Sequence, residues 1–468
     1  MSFVIYDLET SGLEPQWNVP LQAALIHTDQ NLVPLGELSL RCRLPAHIVP
    51  APAALLTTGI RPEQLEQSPL SSTEMLGIIA KALASWAPAT VIGYNTIRFD
   101  EEVLRHAFFT HLLPPYATQV NGHRRADLLT MVRAVAMLEP AAITVPLGAT
   151  EKPSFKLGDV CRSNGIALSE AEAHDALADT KATLALFRHL REVAPTTVAT
   201  MLGLTDKGVA NRMLASGEVM LLGGLSRLTP MVGVTPNPTV ATSWATVDLT
   251  VDPAGYLDLA VEAIVGLFLQ RGVRPIRTVK TNAQPILVAY EQGCHALQPD
   301  QRNLALYNER AAQIREHTGF RTNLAAALAN RFTEREPSPY PEATLYGGGF
   351  LSNEDARACA RWHASLWAER TAISAGFSDE RLKAFANRLT LLEAPQSLSP
   401  TGWQKGQAWL RDRLTTQADV PWLTLPKALA EVATLRQTLP ASDAARHGHL
   451  DAIERWLNKQ TQFFQLAA

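Results

Sequence analysis

Four acidic residues and one histidine, in three short motifs, have side chains suited to metal-assisted hydrolysis of a phosphodiester. Asp7 and Glu9 lie in VIYDLETSG, Asp100 lies in VIGYNTIRFDEE, and the third motif, AHDALADTKAT, contains His174 and Asp179. Gathered carboxylates repel one another, and two divalent cations ~3.5–4 Å apart would cancel that repulsion. Because Mg²⁺ and Mn²⁺ prefer oxygen ligands, we predict a site for two Mg²⁺ ions in which Mn²⁺ can substitute.

The elements predicted around the acids would bring their side chains together. An apolar run, 3–6, indicates a buried strand, and residues two apart on a strand face the same side, so Asp7 and Glu9 would share one pocket. A second apolar strand, 91–94, precedes a helical stretch, 100–111, that begins with the third acid.

The third motif would supply the proton acceptor. Asp175 is a good N-cap for a helix over 176–190, which places Asp179 in its first turns and His174 just before it. On a continuous helix, five residues at ~100° each would turn the side chains of His174 and Asp179 to different faces. A histidine in the segment before the helix is free of this constraint. A histidine with an ordinary pKa of about 6.5 can accept a proton from the attacking water near neutral pH.

Each motif taken singly has an ordinary structural explanation. Asp7 and Glu9 could form a solvated strand end, and His174 could be a surface histidine. Asp100 and Asp179 could be helix-end acids that face the positive end of the dipole. The three motifs in this order, each on the element that the chemistry needs, favour a catalytic site instead.

The motifs resemble D-x-E-T, N-x-x-x-F-D and H-D-A-x-x-D of the DEDDh 3'→5' exonucleases, which have an RNase H-like fold. A closer resemblance, to the bacterial exodeoxyribonuclease I family, covers nearly the whole chain. The segments that carry it are LTTGIRPEQ (56–64), GYNTIRFDEEVLRHAFF (93–109), RADLLTMVRA (125–134), PSFKLGDVCRSNGI (153–166) and LYGGGFLSNEDARA (345–358).

This resemblance implies a role for each motif residue. Asp7, Glu9, Asp100 and Asp179 match the metal-site acids, with Asp7, Glu9 and Asp179 as the direct ligands, and His174 matches the general base. Further residues are implied to contact single-stranded DNA, namely Glu9, Thr10, Arg105, Tyr116, Arg133, Lys156, Lys207, Lys280 and Asn282. Val120 departs from the family, which has an aromatic residue there.

The resemblance also implies binding to the C-terminal tail of single-stranded DNA-binding protein, which is acidic and ends in an apolar residue. Such a tail needs a cationic rim beside an apolar pocket. Segment 301–336 contains six arginines and four glutamates, a surplus of two positive charges, interleaved with leucines and with Phe320 and Phe332. Arg310 and Arg321 are the first candidates, although an ordinary charged helix face is an equal alternative.

The chain has 468 residues, a length that predicts more than one domain. Region 1–195 alternates strands and helices and would form an α/β exonuclease domain of RNase H-like fold. Region 196–349 opens with a helix and continues with short strands, for example 219–222, 243–251 and 285–289. The resemblance implies an SH3-like barrel there, forming a wall of the DNA channel. The region 350–468 is helical, and its six tryptophans are expected in the core.

The chain has no apolar run of the ~18 residues that a membrane helix needs, and its N-terminus enters the first strand directly. The four cysteines, Cys42, Cys161, Cys294 and Cys359, lack metal-ligand spacing. We therefore expect a cytoplasmic monomer with reduced thiols and no membrane contact. A net charge of −3 argues against a protein that coats DNA, but it allows a local basic groove.

Together these features predict a magnesium-dependent exonuclease that degrades single-stranded DNA from its 3' end and releases 5'-mononucleotides in DNA repair and recombination. Three alternatives remain open. The chain could act on RNA, it could be a proofreading factor, or it could be a non-catalytic nucleic-acid-binding adaptor. The intact acids and histidine argue against the adaptor.

Overall fold

The N-terminal part of the computed structural model, which describes residues 2–168, 174–331 and 338–466, is a five-stranded sheet with helices on both faces. The strand order is β3-β2-β1-β4-β5, with β1, β4 and β5 parallel. The strands are β1 Ser2–Thr10, β2 Pro20–Thr28, β3 Pro34–Arg41, β4 Ala89–Gly93 and β5 Arg124–Asp127. The helices are α1 Pro52–Thr58, α2 Pro62–Gln67, α3 Ser72–Ser85, α4 Asp100–Thr110, α5 Leu128–Leu138, α6 Leu157–Ser163 and α7 Ala176–Val193.

Strand β1 is apolar on both faces because both faces are covered. Phe3 and Ile5 join the core that contains α5 and α7, whereas Val4 and Tyr6 join the core formed with α3 and α4. The predicted α/β class and the strand at the N-terminus are confirmed. The strand is longer than predicted, because it continues through the two acids to Thr10.

The middle part contains a second five-stranded sheet, entirely antiparallel, in the order β10-β6-β7-β8-β9. Its strands are β6 Met220–Gly223, β7 Leu228–Pro236, β8 Ser243–Asp248, β9 Ile276–Lys280 and β10 Leu287–Ala289. The helices around it are α8 Pro195–Gly203, α9 Lys207–Ala215, α10 Val261–Leu269, α11 Tyr290–Gly293, α12 Leu304–Glu316 and α13 Thr318–Asn330, with short 3-10 turns at Pro253–Gly255, Cys294–Ala296 and Pro299–Gln301. The SH3-like class of this sheet stays a prediction.

The central strand β7 is difficult to recognise in the sequence because it contains Pro230 and Gly233, residues that argue against a central strand. Gly233 is required here because a Cβ atom would lie 2.1 Å from the carbonyl oxygen of Leu214. Helix α9 thus packs directly on the backbone of this sheet.

One hydrophobic core crosses the predicted boundary at residue 195. The core that contains Ile5 and Phe187 continues through Met201 and Leu214 to Ile286 of the middle part. The division into the domains 1–195, 196–349 and 350–468 stays a prediction, and residues on both sides of the first boundary pack into one core.

The proline- and glycine-rich segment near 340 is docked and is not a free linker. Its 3-10 turn, Pro341–Thr344, carries Glu342, which is only 7% exposed and is bound by Arg388 and Arg413. The ring centroid of Tyr340 lies 5.7 Å from that of Trp17. The segment therefore packs between the N-terminal part and the C-terminal helices.

The C-terminal part is helical, as predicted, with α14 Asn353–Ala364, α15 Trp367–Ala375, α16 Glu380–Glu393, α17 Pro400–Thr415, α18 Leu425–Thr438, α19 Ala444–Leu466 and a 3-10 turn at Pro395–Ser397. The expectation that all six tryptophans are core residues is wrong. Trp362 is fully buried, but Trp403 and Trp409 are 41% and 37% exposed because one side of α17 faces solvent. None of the described helices combines the length and apolarity that a bilayer crossing requires.

Candidate active site

The first two acids lie on the end of β1 that extends past its parallel neighbour. Strand β1 pairs with β4 through Ile5, whereas Asp7 and Glu9 pair only with β2, opposite Ala24 and Gln22. The open side of this strand end faces the crevice beyond the carboxyl ends of β4 and β5, the usual position of a site in such sheets.

Asp100 reaches the same crevice through a tight loop between β4 and α4. Gly93 ends β4, and a Cβ atom there would lie 2.7 Å from the carbonyl oxygen of Tyr6 and closer still to the side chain of Thr96. The loop can therefore fold back over the strand end only with glycine at this position. The helix begins at Asp100 as predicted, and the backbone N–H of Leu8 donates to the Asp100 carboxylate.

Asp127, which the sequence analysis did not select, fixes that loop. Its carboxylate accepts hydrogen bonds from the backbone N–H groups of Asn95 (3.0 Å) and Ile97 (3.2 Å) and caps α5 through Leu129 (3.0 Å). Its own N–H donates to the side chain of Gln284 in the middle part, at 2.7 Å. An acid at the end of a strand and directly before a helix was the available signal.

His174 stands just before α7, as predicted, and Asp175 caps that helix through the N–H groups of Leu177 and Ala178. His174 has a φ of 68°, a left-handed conformation that turns its backbone N–H toward the Asp179 carboxylate, 3.3 Å away. One potential ligand atom from each of Glu9, His174 and Asp179 lies within 4.8 Å of the others.

A chain of hydrogen bonds that the sequence did not reveal supports the start of α7. Arg41 Nη2 donates to Gln22 Oε1 at 3.1 Å, and Gln22 Nε2 donates to Asp175 Oδ2 at 2.8 Å. The three residues come from β3, β2 and the cap of α7. This chain ties α7, which carries Asp179, to the sheet that carries Asp7 and Glu9.

Burial and mutual repulsion disfavour the charged forms of all four acids. The pKa of Asp7 lies well above its usual range, mainly because the group is buried and secondly because Asp100, Glu9 and Asp179 repel its charge. Burial and nearby carboxylates raise the pKa of Glu9 to about 9, and burial raises that of Asp100 to about 7. The pKa of Asp179 is raised by burial, an effect that His174 opposes.

This donor set fits divalent cations. Four carboxylates and an imidazole converge in one crevice, and the raised pKa values of the four carboxyl groups indicate that their charged forms lack sufficient compensation from the protein. A bound divalent cation would supply it. The geometry and the charge of these described residues therefore suit a divalent cation.

The raised pKa values predict how pH affects the metal-free fold. A carboxyl group whose pKa is higher in the folded state binds more protons folded than unfolded between its two pKa values, so stability falls as pH rises through that window. For Glu9 the window runs from the ordinary glutamate pKa of 4.5 to about 9. The melting temperature in EDTA should therefore fall from pH 5 to pH 9. The increase in melting temperature on adding Mg²⁺ or Mn²⁺ should become larger over the same range. An increase that does not depend on pH would contradict this electrostatic account.

The predicted substrate residues nearest the acids are mostly enclosed. Thr10 is buried, and its hydroxyl donates to the carbonyl of Gly12 at 2.8 Å. Arg105 is also buried, and its guanidinium is held by Glu101 and Glu102, both at 2.8 Å, and by the hydroxyl of Tyr346 at 3.0 Å. This placement favours a supporting role for Arg105 over a direct contact with a phosphate.

Other predicted contacts have accessible positions. Tyr116 is half-buried beneath Arg105, at 5.5 Å from its guanidinium to the ring centroid. Arg133 lies 5.3 Å from the ring centroid of Phe155, and Lys156 is exposed at the N-cap of α6. Val120 is 42% exposed, so the position that departs from the family lies on the surface.

The three contacts predicted in the middle part, Lys207, Lys280 and Asn282, are all exposed. Asn282 is joined to the N-terminal part through Arg125, whose guanidinium donates to the Asn282 carbonyl and to Glu101, both at 2.6 Å. Glu101 directly follows Asp100 in the chain. Hydrogen bonds of Arg125 thus connect the surface of the middle part to the residue next to Asp100.

Comparisons with known proteins match this architecture. The profile of the family described as Exonuclease matches residues 4–187, and that of the Exonuclease I C-terminal domain matches 339–460. Exodeoxyribonuclease I of Haemophilus influenzae is 30% identical over 379 residues, which cover 76% of this chain and 78% of that protein. Exodeoxyribonuclease I of Escherichia coli is 27% identical over 439 residues, 88% of this chain and 89% of its own.

Solved structures agree. Exonuclease I from Methylocaldum szegediense superposes with a TM-score of 0.86 at 27% identity, covering 98% of this chain and 99% of that one. The fold and the acidic crevice thus define an exonuclease, a hydrolase of nucleic acids that uses divalent metal. Within that class, the chain belongs to the exodeoxyribonuclease I family. The predicted resemblance is confirmed.

Proposed function

We propose that this enzyme degrades single-stranded DNA from the 3' end and releases 5'-mononucleotides, with two Mg²⁺ ions as the natural cofactor and Mn²⁺ as a substitute. The observation that carries the proposal is the convergence of Glu9, His174 and Asp179 within 4.8 Å at the edge of a crevice that also holds Asp7 and Asp100. Relatives support the substrate, because Escherichia coli Exonuclease I has been crystallised with a dA16 and a dT13 oligonucleotide.

The residues divide the chemistry among them. Asp7, Glu9 and Asp179 would hold the cations directly, and Asp100 would complete the negative charge of the site. When bound, the cations would stabilise the charge that develops on the scissile phosphate and the departing 3' oxygen. His174 is exposed at the rim and would accept the proton of the attacking water, while its backbone N–H keeps it next to Asp179.

The substrate path proposed here combines positive and aromatic side chains. Lys156, Lys207 and Lys280 would neutralise phosphates, and Tyr116 would stack against a base. Thr10 and Glu9 would contact the terminal nucleotide, and Arg133 and Asn282 would line the same path. Arg105 would act by holding Tyr116 in position.

The function is tested with 5'-labelled single-stranded DNA, duplex DNA and RNA digested side by side, with Mg²⁺, with Mn²⁺ and with EDTA. We expect ladders that shorten from the 3' end, on single-stranded DNA only and with metal only, and 5'-mononucleotides as the product. Preferred digestion of RNA or of mispaired duplex ends would favour the RNA-directed or the proofreading alternative. Binding without digestion would favour an adaptor.

We also propose that the protein acts as a cytoplasmic monomer in DNA repair and recombination. All four cysteines are free, and three of them are buried, which suits a reducing compartment. Sedimentation of the purified protein tests the monomer directly.

Charge reversal at Arg310 and Arg321 should weaken binding to the acidic tail of single-stranded DNA-binding protein, the partner proposed here. Arg321 is exposed on the first turn of α13, whereas Arg310 is half-buried and donates to the Leu249 carbonyl at 2.7 Å. Arg321→Glu is therefore the cleaner variant. Phe332 and residues 334–336, which contributed to this prediction, lie outside the described residues.

The loss should be larger at low salt than at high salt, with hydrolysis of naked DNA unchanged, because screened charges set this interaction. Fluorescence anisotropy with a labelled tail peptide measures it, and Arg455→Glu, at an exposed position of α19, is the matched control. Equal affinity of wild type and the double reversal would remove this surface from consideration.

A further inference from the structure

A cavity of about 680 Å³ lies in the C-terminal part, away from the metal-site acids. It is bounded by α16, by α17 and by the docked segment that carries Glu342. The volume falls within the ~300–1,000 Å³ typical of small-molecule sites. None of the residues assigned to hydrolysis lines this cavity.

The wall of the cavity has a surplus of positive charge. Arg388 and Arg413, 8% and 5% exposed, both approach the same oxygen of Glu342, at 2.6 and 3.5 Å. Lys405 and Asp412 also line the cavity, so its charged groups are three cations against two anions, a surplus of one. Burial lowers the pKa of Arg388, and burial lowers that of Arg413 to about 10, which indicates that one carboxylate does not fully compensate two guanidinium groups.

Aromatic and apolar side chains line the same cavity. Trp409 remains 37% exposed, and the guanidinium of Arg413 lies 5.6 Å from its ring centroid. Phe385 and Leu398 complete the apolar wall. A cation directly beside a partly open indole ring matches a ligand that carries both a planar base and a phosphate, because the base stacks while the phosphate pairs with the cations.

We propose that this cavity binds a nucleotide unit, with its phosphate toward Lys405 and the arginines and its base against Trp409. The unit could come from free mononucleotide or from an unpaired nucleotide of a long DNA strand, since both present the same chemistry. The site would be separate from the acidic crevice. It would add affinity for nucleotides without taking part in bond cleavage.

Lys405 and Trp409 carry the test, because both are exposed and the ion pairs of Glu342 do not depend on them. The variants are Lys405→Gln and Trp409→Ala. The matched control is Lys459→Gln, which neutralises a lysine on α19 that is 72% exposed and outside the cavity. Melting temperatures within a few degrees of wild type would confirm that each variant folds.

Calorimetric titration of the full chain with dAMP, in EDTA so that metal-dependent binding does not contribute, tests the free nucleotide. We expect saturable binding to wild type and the control. It should be weaker by roughly fivefold in Lys405→Gln and by tenfold or more in Trp409→Ala, in line with stacking energies of ~1–3 kcal/mol. A second titration, by anisotropy in EDTA, compares labelled oligothymidylates of four and twenty nucleotides.

Weaker dAMP binding in both variants would identify a site for free nucleotide. Unchanged dAMP binding with weaker binding of only the long oligonucleotide would identify a site for the DNA strand. Affinities of both variants equal to wild type for all three ligands would overturn the proposal. Because no measurement involves hydrolysis, that failure would leave the proposed nuclease activity standing.

Discussion

Asp7→Asn is expected to reduce hydrolysis of single-stranded DNA below about a tenth of the wild-type rate at saturating Mg²⁺, with the fold intact. Asp7 is repelled by all three other acids, since Asp100, Glu9 and Asp179 each raise its pKa. An amide of the same shape cannot supply the charge that holds a cation at this position. Asp179→Asn should have the same effect.

Two measurements and a control variant distinguish loss of metal from loss of fold. DNA binding in EDTA should be largely retained, because it depends on the cationic surface. The melting temperature in EDTA should rise in Asp7→Asn, since one of several mutually repelling buried carboxylates has been removed. Asp419→Asn, at a fully exposed side chain, is the control and should change neither quantity. Retention of more than about a tenth of the rate would contradict the two-metal assignment.

Replacing His174 by alanine should lower turnover by roughly 10²- to 10⁴-fold, the usual contribution of a positioned proton acceptor, while metal and DNA affinities stay near wild type. The φ of 68° at this position adds a complication, because alanine is strained in the left-handed region. His174→Asn is the better matched variant, since asparagine adopts this conformation readily and its amide does not accept a proton near neutral pH.

Both variants keep the backbone N–H that donates to Asp179, so a loss of rate would report the imidazole itself. The acid limb of the pH–rate profile should flatten in both. An unchanged rate together with an unchanged profile would assign His174 a structural role only. A large loss in alanine but not in asparagine would show that backbone strain, and not proton transfer, causes the effect.

The catalytic motifs were predictable because each is local. An N-cap aspartate, a helix that starts at an acid and a strand with two acids on one face are all determined by neighbouring residues, and the structure has them at Asp175, Asp100 and Asp7. Local rules therefore located the elements of the site to within a few residues.

The supports of the site were not predictable, because they join residues that are distant in sequence. Gln22 meets Asp175 across 153 positions, and Asp127 meets Gln284 across 157. Arg105 shows the same limit of sequence-based prediction. Its position in the sequence matched a DNA contact, but Tyr346, 241 positions away, bonds to it and helps to enclose it. No periodicity or spacing rule encodes such pairs.

The core that crosses residue 195 has a consequence for how the molecule melts. Met201, Leu214 and Ile286 lie in the hydrophobic core that also contains Ile5 of the exonuclease sheet. Gln284 accepts from the backbone N–H of Asp127 and donates to the carbonyl of Met201. Cutting the chain after residue 195 would leave the inner face of α5 and α7 open to water. The first two regions should therefore behave as one cooperative unit, in which the catalytic acids and the middle sheet lose their structure in the same transition.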